Sequence, residues 1–294
     1  FFKMFFACLE DGNRNLELYH QVFFMISRFA LFNPHATFHL RRGESFIEWT
    51  RTADTITKWM PHQPTDISWY DSAELASLVA AHIRAGDKPV RAFLEEFRGF
   101  KRTDTRKAIM DRIGLTGQTL TEAFTEGGDI DDGRVALLLH AMKEMAVPVK
   151  PKALGVIGAQ HMNHWFVLLE GRDPSSFKYK STSGTTADGL PFVVEVGFGV
   201  DESDGFGEQF IGLNFSPALN HQTLDRLKGQ FMIDFGDPAT LAVHSACPKF
   251  SFEDRGKSRV NLPAEIWDAL RACTKVATAA WVKKKRRLHR AERI

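Results

Sequence analysis

Val243-His-Ser-Ala-Cys-Pro-Lys-Phe-Ser-Phe-Glu-Asp-Arg-Gly-Lys257 lies between two different kinds of chain. Its start overlaps Thr240-Leu-Ala-Val-His244, a short apolar run of the composition that a buried strand requires. Beyond it, from Leu262 to about Arg290, Ile266, Leu270, Cys273, Ala277 and Trp281 advance by three or four residues, the period of a helix with one apolar line. At about 1.5 Å per residue such a helix reaches roughly 40 Å. The stretch itself is a polar loop carrying Lys249 and the pair Gly256-Lys257. Gly256-Lys257-Ser258 invites comparison with the P-loop, whose amides and lysine hold phosphates, but that loop needs a glycine five residues earlier, where this chain has Ser251. A P-loop is excluded.

Outward from this stretch, Phe192-Val-Val-Glu-Val-Gly-Phe198 and Gln209-Phe-Ile-Gly-Leu-Asn-Phe215 read as further strands and residues 224–230 as a helix. An α+β domain over 151–294 is expected, ending in the long helix. His244, at the end of an apolar strand, reads as a hydrogen-bonded core histidine. Ser181-Thr-Ser-Gly-Thr-Thr186 reads as a flexible loop. His161-x-x-His164 puts two imidazoles on one helical face without a third ligand nearby in sequence, so no metal site is expected. Residues 71–146 break into short helical segments, with Asp104 or Thr105 as a cap and Gly114 as a stop, and predict an all-helical domain over 59–150. Ahead of it, 1–58 holds a helix ending at Asn33-Pro34 and a hairpin turning at Arg42-Gly43.

The composition, 44% hydrophobic and 25% charged over 294 residues, is that of a soluble globular protein with two or three domains. The longest apolar stretch near the start, 22–32, contains Ser27 and Arg28 and falls short of the ~20 residues a bilayer needs, so no membrane span is expected. Cys8, Cys247 and Cys273 are far apart and form no Cys-x-x-Cys pair, which fits a reducing cytoplasm. Phe1 in place of a starting methionine suggests a fragment. Net charge is only +2, yet Lys283, Lys284, Lys285, Arg286, Arg287, Arg290 and Arg293 crowd the end, and Arg98, Lys101, Arg102, Arg106, Lys107 and Arg112 form a second cluster. Clusters of this kind neutralise phosphates or form solvated helix faces. No tyrosine (Tyr19, Tyr70, Tyr179) neighbours an acidic metal cluster, and none is assigned to DNA cleavage.

Four segments, taken in order, resemble the B subunits of topoisomerase VI, type IIB DNA topoisomerases of the GHKL ATPase family. Asn33-Pro34-His35-Ala36 resembles the end of that family's ATPase domain, and Gly189-Leu-Pro-Phe-Val-Val-Glu-Val-Gly197 its Pro-Phe-x-Val-Glu-Val-Gly strand. The quoted stretch resembles its transducer signature, and the helix after Pro263-Ala-Glu-Ile266 its closing helix. The resemblance implies the end of a GHKL-type ATPase domain over 1–58, a helix-two-turn-helix-like middle domain over 59–150, and a ribosomal-S5-like α+β transducer domain over 151–294. It further implies that Lys257, with Gly256 and Lys249 in the same loop, is the switch lysine reaching the ATP γ-phosphate. A mobile point charge suits that role, because the terminal phosphate is the group lost on hydrolysis. Implied partners are an A-type cleaving subunit met through Ile266, Leu270 and Trp281, double-stranded DNA near Lys283, Lys284, Lys285, Arg286 and Arg287, and a second B subunit through the ATPase half. The family's pocket residues, a Glu and Asn on one helix and an Asp-x-Gly-x-Gly box, have no counterpart here, since Asp11-Gly12 lacks the second glycine. ATP and Mg2+ are therefore expected only in a complete subunit, and no catalytic residue is assigned within this chain. The alternative expectation is an ATP-free protein that binds DNA or a partner.

Overall fold

The computed structural model describes residues 12–59, 63–168, 174–200, 207–218, 222–234, 236–256 and 259–291. The chain forms two compact units: Trp59–Lys150 with Ala187–Pro191, and Phe1–Lys58 with Pro151–Thr186 and Phe192–Ile294.

Helix α1 (Gly12–Phe32) stops ahead of Pro34 as its sequence requires, and the Asn33 side-chain Nδ2 donates to the Phe29 carbonyl at 2.9 Å. Val22, Ile26 and Ala30, four residues apart, pack on β1 (Phe38–Arg42) and β2 (Ser45–Trp49) through Leu40 and Trp49. The hairpin pairs Arg42 with Ser45, leaving Gly43 at φ 55° in a two-residue turn.

The helical unit begins at α2 (Ser72–Arg84), where Asp71 and Glu74 form a capping box. It continues through α3 (Val90–Leu94), α4 (Thr103–Ile113), α5 (Leu120–Phe124), the two-residue strands β3 (Thr125–Glu126) and β4 (Asp129–Ile130), and α6 (Asp132–Met145). Five-residue helices such as α3 and α5 have no stability alone. They persist because Val90, Phe93, Leu94, Leu120, Ala123 and Phe124 are buried in one core with Leu75, Leu138 and Met142. Gly114, at φ 70°, ends α4 as expected. The expected caps Asp104 and Thr105 lie inside α4, whose N-cap is Arg102 without a side-chain bond. Arg106 explains that start: it is 4% exposed and its guanidinium donates to the carbonyls of Phe100 (3.0 Å) and Lys101 (2.6 Å) and pairs with Glu95 at 2.8 Å. The expected cationic cluster is thereby reduced. Arg98 donates to the Val147 carbonyl and Arg112 pairs with Glu144, so among the described residues Lys101, Arg102 and Lys107 are the members of that group exposed without such a bond.

The second unit resumes with α7 (Ala159–Leu168), β5 (Lys178–Thr185), β6 (Pro191–Val200), β7 (Gln209–Leu213), β8 (Ser216–Pro217), α8 (Gln222–Gln230), β9 (Ala239–Ala246), β10 (Ser251–Phe252), β11 (Val260–Asn261), α9 (Ala264–Ala277) and α10 (Ala279–Ala291). Five strands form one mixed sheet in the order β5-β6-β9-β7-β8, with β6 antiparallel and β7 parallel to β9. The parallel pair requires a crossover, which includes α8. The architecture is α+β.

Alternation along β6 assigns the two faces of the sheet. Phe198 meets the Trp281 ring of α10 at 6.2 Å, whereas a side chain at Gly197 would meet Met162 and Phe166 of α7. On the same face as α7, a Cβ on Gly212 would stand 2.5 Å from the Phe32 ring of α1. Helices on both faces account for the near-continuous burial of β6 and β9.

Two further expectations change. Residues 181–186, read as a loop, lie mostly in edge strand β5. The long terminal helix is divided at Thr278, whose φ of −96° and ψ of 5° separate α9 from α10. The hydroxyls of Thr274 and Thr278 each donate to the carbonyl four residues back at 2.8 Å, a competition with the helix ladder that bends helices.

Candidate functional site

Two of the motif segments meet at a buried carboxylate, and a third reaches them through Phe215. Glu195 is a lone charge in the apolar run of β6, wholly buried, and its register partner on β9 is His244, also wholly buried. Glu195 Oε2 accepts from His244 Nδ1 at 2.8 Å and from the Ile157 amide at 2.7 Å. Oε1 accepts from the Gly158 amide at 2.8 Å and the Tyr179 hydroxyl at 2.6 Å. Removing a carboxylate from water costs several kcal/mol. Hydrogen bonds to a charged group return about 1.5–3 kcal/mol each, so four of them suffice to keep it ionised. Burial pushes the Glu195 carboxyl up, but the bonds from His244, Tyr179 and Ile157 outweigh it and hold its pKa below the ordinary range. Burial and the adjacent carboxylate push the Tyr179 phenol up.

The other imidazole nitrogen fixes the tautomer. The Phe215 amide donates to His244 Nε2 at 3.2 Å, so Nε2 is the acceptor and the proton resides on Nδ1, which a neutral ring satisfies. Phe215 and Asn214 form the β7–β8 turn with φ of 65° and 49°, the left-handed region that a bulky residue occupies only under constraint. The constraint is visible: Asn33 Nδ2 donates to the Phe215 carbonyl at 3.0 Å, and the Phe215 and His244 rings lie 4.7 Å apart. The Asn214 carboxamide both donates to the Cys247 carbonyl (2.8 Å) and accepts its amide (2.9 Å), extending the pairing of β7 with β9 by a side chain. Asn33, Glu195 and His244, from segments far apart in sequence, thus belong to one network joining α1, the β7–β8 turn, β9, β6, β5 and the start of α7. Its carboxylate is wholly buried and its bonds hold backbone segments in place.

What it positions is the chain leaving β9. Cys247 is buried, and burial pushes its thiol up, so it is no nucleophile. Lys249 follows on the surface. The loop is a hairpin: β10 pairs with β11, the Glu253 amide donates to the Arg259 carbonyl at 3.0 Å, and the Arg259 amide donates to Asp254 at 2.9 Å. Gly256 is exposed at its tip, and a Cβ there would come 3.0 Å from Asp254 Oδ2. Lys257, the expected switch lysine, lies outside the described residues, as does Arg293.

Beyond the hairpin, α9 and α10 divide the remaining expected residues. Ile266 and Leu270 are wholly buried and Trp281 is 6% exposed, its indole donating to the Met232 carbonyl at 2.9 Å. These three side chains, expected against a partner, are in the chain's own core, because the sheet takes the apolar line of the helix. Lys283, Lys284, Arg286, Arg287 and Arg290 are exposed, and Lys283, Arg286, Arg287 and Arg290 share one face at helical spacing. Lys285 differs from its neighbours. It is held against the Trp281 ring and pairs with Asp237 (2.7 Å) and Asp234 (3.2 Å), which outweigh partial burial and raise its pKa. It is a structural cation.

His161 is buried and bonded to Thr52 Oγ1 (2.6 Å) and the Ala30 carbonyl (3.0 Å), whereas His164 is exposed, so the two do not share a ligand. Among the described residues no three His, Cys, Asp or Glu side chains are grouped to hold a metal. Nor is any helix among them long and apolar enough to cross a membrane. Sequence reasoning missed Glu195, whose signal was a single charge inside a doubly buried strand. It also missed the roles of Tyr179 and Asn214, for which no local signal exists.

A scan against protein-family models finds no match, and a search of curated proteins finds none. Among solved structures the chain is similar to the B subunit of DNA gyrase from Myxococcus xanthus, at TM-score 0.26 and 14% identity over 40% of this chain and 37% of that one. It is also similar to the 43K ATPase domain of Thermus thermophilus gyrase B in complex with an aminocoumarin, at TM-score 0.24 and 15% identity over 39% and 35%. The chain thus spans little more than a third of those proteins, and a likeness of this extent carries no argument about fold or activity.

Proposed function

We propose that this chain is the transducer-bearing part of a B-type subunit of a type IIB DNA topoisomerase, which couples closure of an ATP-bound dimer to DNA passage by an A-type partner. The observation that carries the proposal is the single network of Asn33, Glu195 and His244. Each comes from a different segment resembling that family, and their bonds fix the strand that leads into the Lys249 and Gly256 hairpin. On this proposal Lys257 is the contact to the terminal phosphate. A lysine there reports the presence of that phosphate, and the hairpin, rooted in β9, carries the report to the sheet. ATP and Mg2+ are held by the complete subunit, whose dimer forms through its ATPase half. The exposed face of Lys283, Arg286, Arg287 and Arg290 then lies towards duplex DNA.

The test is relaxation of supercoiled DNA by the full-length gene product mixed with an A-type subunit, with and without ATP. Relaxation only with ATP supports the proposal. The exposed cationic face also favours a second reading, an ATP-free DNA-binding protein, and this is the conclusion if DNA is bound by the folded pair but never relaxed.

A further inference from the structure

We propose that the edge strand β5 and the groove between it and α9 form a docking site for an extended acidic peptide segment of another protein, which joins the sheet as a sixth strand. Strand β5 is at the end of the sheet order, and its residues 180–183 are all exposed. An edge strand presents unpaired amides and carbonyls to any strand laid beside it. The turn Pro151–Leu154 approaches β5, but it leaves residues 180–183 accessible.

Side-chain alternation gives this edge a direction. Tyr179 faces Glu195, so Lys178, Lys180, Thr182 and Gly184 face α9. Consistent with this, the Phe192 ring covers Gly184 so closely that a Cβ there would come within 2.8 Å of it. Beside Phe192, Thr182, Ala269, Ala272, Cys273 and Val276 line a groove of about 370 Å³. Small residues at Ala269 and Ala272 leave the space, and Val276 is 58% exposed at its side.

Charge selects the occupant. Lys180 and Lys275 are exposed and form no ion pair among the described residues, and Lys178 donates to the Ser175 carbonyl. Asp268, the acid lining the groove, is already bonded to Arg271 at 2.8 Å. A strand beside β5 therefore gains from a carboxylate opposite Lys180 and an apolar side chain two residues away, opposite Thr182, reaching the groove. A second copy of this chain, paired through β5, would instead set these lysines against one another, which disfavours it.

The test is a display library of random peptides about ten residues long, the length of a strand, selected on the folded chain and on Ala272→Trp, which fills the groove. The expected result is enrichment, on the unmodified chain alone, of peptides with an acidic and an apolar residue two positions apart. Lys180→Glu should weaken the enriched peptide by about tenfold, the loss of a charge-assisted hydrogen bond, and N-methylation of its alternate amides should abolish binding in one of the two registers. Thermal unfolding of both variants near that of the unmodified chain makes the comparison valid, and Ala269→Leu is a milder filling should Ala272→Trp not fold. Enrichment equal on filled and unfilled grooves, enriched peptides without acids, indifference to N-methylation in both registers, or no enrichment would each overturn the proposal. Self-association that disappears in Ala272→Trp would point to a second copy and overturn it as well.

Discussion

His244 Nδ1 lies 2.8 Å from Glu195 Oε2 across facing positions of β9 and β6, with both side chains wholly buried. The proton donated in that bond is fixed by a third residue, because the Phe215 amide already occupies Nε2. A buried charge and a strained turn are in this way made to depend on each other.

Glu195→Gln should cost about 3 kcal/mol, because either placement of the new amide NH2 sets it against a backbone amide, Ile157 or Gly158, that can only donate, while the other donors lose a charged acceptor. Denaturant unfolding measures it, and a loss under about 1 kcal/mol would remove the network from any central role.

Stability should fall in acid in two stages. His161, whose pKa burial lowers from 6.5, takes up a proton in the unfolded chain before the folded one. Its contribution is thus present above pH 6.5 and lost as pH falls towards its lower folded pKa. Glu195, also lowered, contributes stability that is present above its unfolded value of 4.5 and lost as pH falls through its folded pKa. The fall of unfolding free energy with pH should be smaller in its first stage in His161→Gln and smaller in its second in Glu195→Gln, the remainder coming from groups such as His35 and Asp87 whose pKa values are also lowered.

Asn214→Gly and Asn214→Ala should separate bonding from strain. Both lose the two bonds to Cys247, but only alanine meets the left-handed backbone at φ 49° unfavourably. Alanine should be the worse of the two by about 1 kcal/mol. Equal losses would mean that the turn relaxes.

Charge reversal at Lys283, Arg286 and Arg287 should weaken duplex DNA binding and flatten its salt dependence by up to about 0.9 in slope for each phosphate no longer neutralised. Lys285→Ala should leave that slope unchanged and lower stability, since this lysine is committed to Asp234 and Asp237. The paired titrations distinguish an interface from a solvated face.

The elements set by strong local signals were legible in the sequence. The stop of α1 at Asn33-Pro34, the hairpin at Gly43 and the apolar runs of β6, β7 and β9 all stand where their composition places them. Strand β5 was not, because an edge exposed on both faces needs no apolar alternation and Ser-Thr-Ser-Gly reads as a loop. The break at Thr278 depends on side-chain hydroxyls within an otherwise helical period. Nor does spacing distinguish Lys285 from the other cations of α10, since its partners lie 48 and 51 residues away. The cluster around Arg106 was similarly misread, because an arginine that satisfies buried carbonyls resembles one that faces solvent until the fold is known.

The most direct test of the coupling is Lys257→Ala in the full-length gene product, assayed with an A-type subunit for ATP-dependent relaxation of supercoiled DNA, with ATP-driven dimerisation measured alongside. If the hairpin reports the terminal phosphate to the sheet, dimers still form with ATP while relaxation falls by about tenfold or more, the loss of one charge-assisted hydrogen bond. Relaxation at the unmodified rate would contradict a switch at Lys257 and leave the hairpin without a role in coupling.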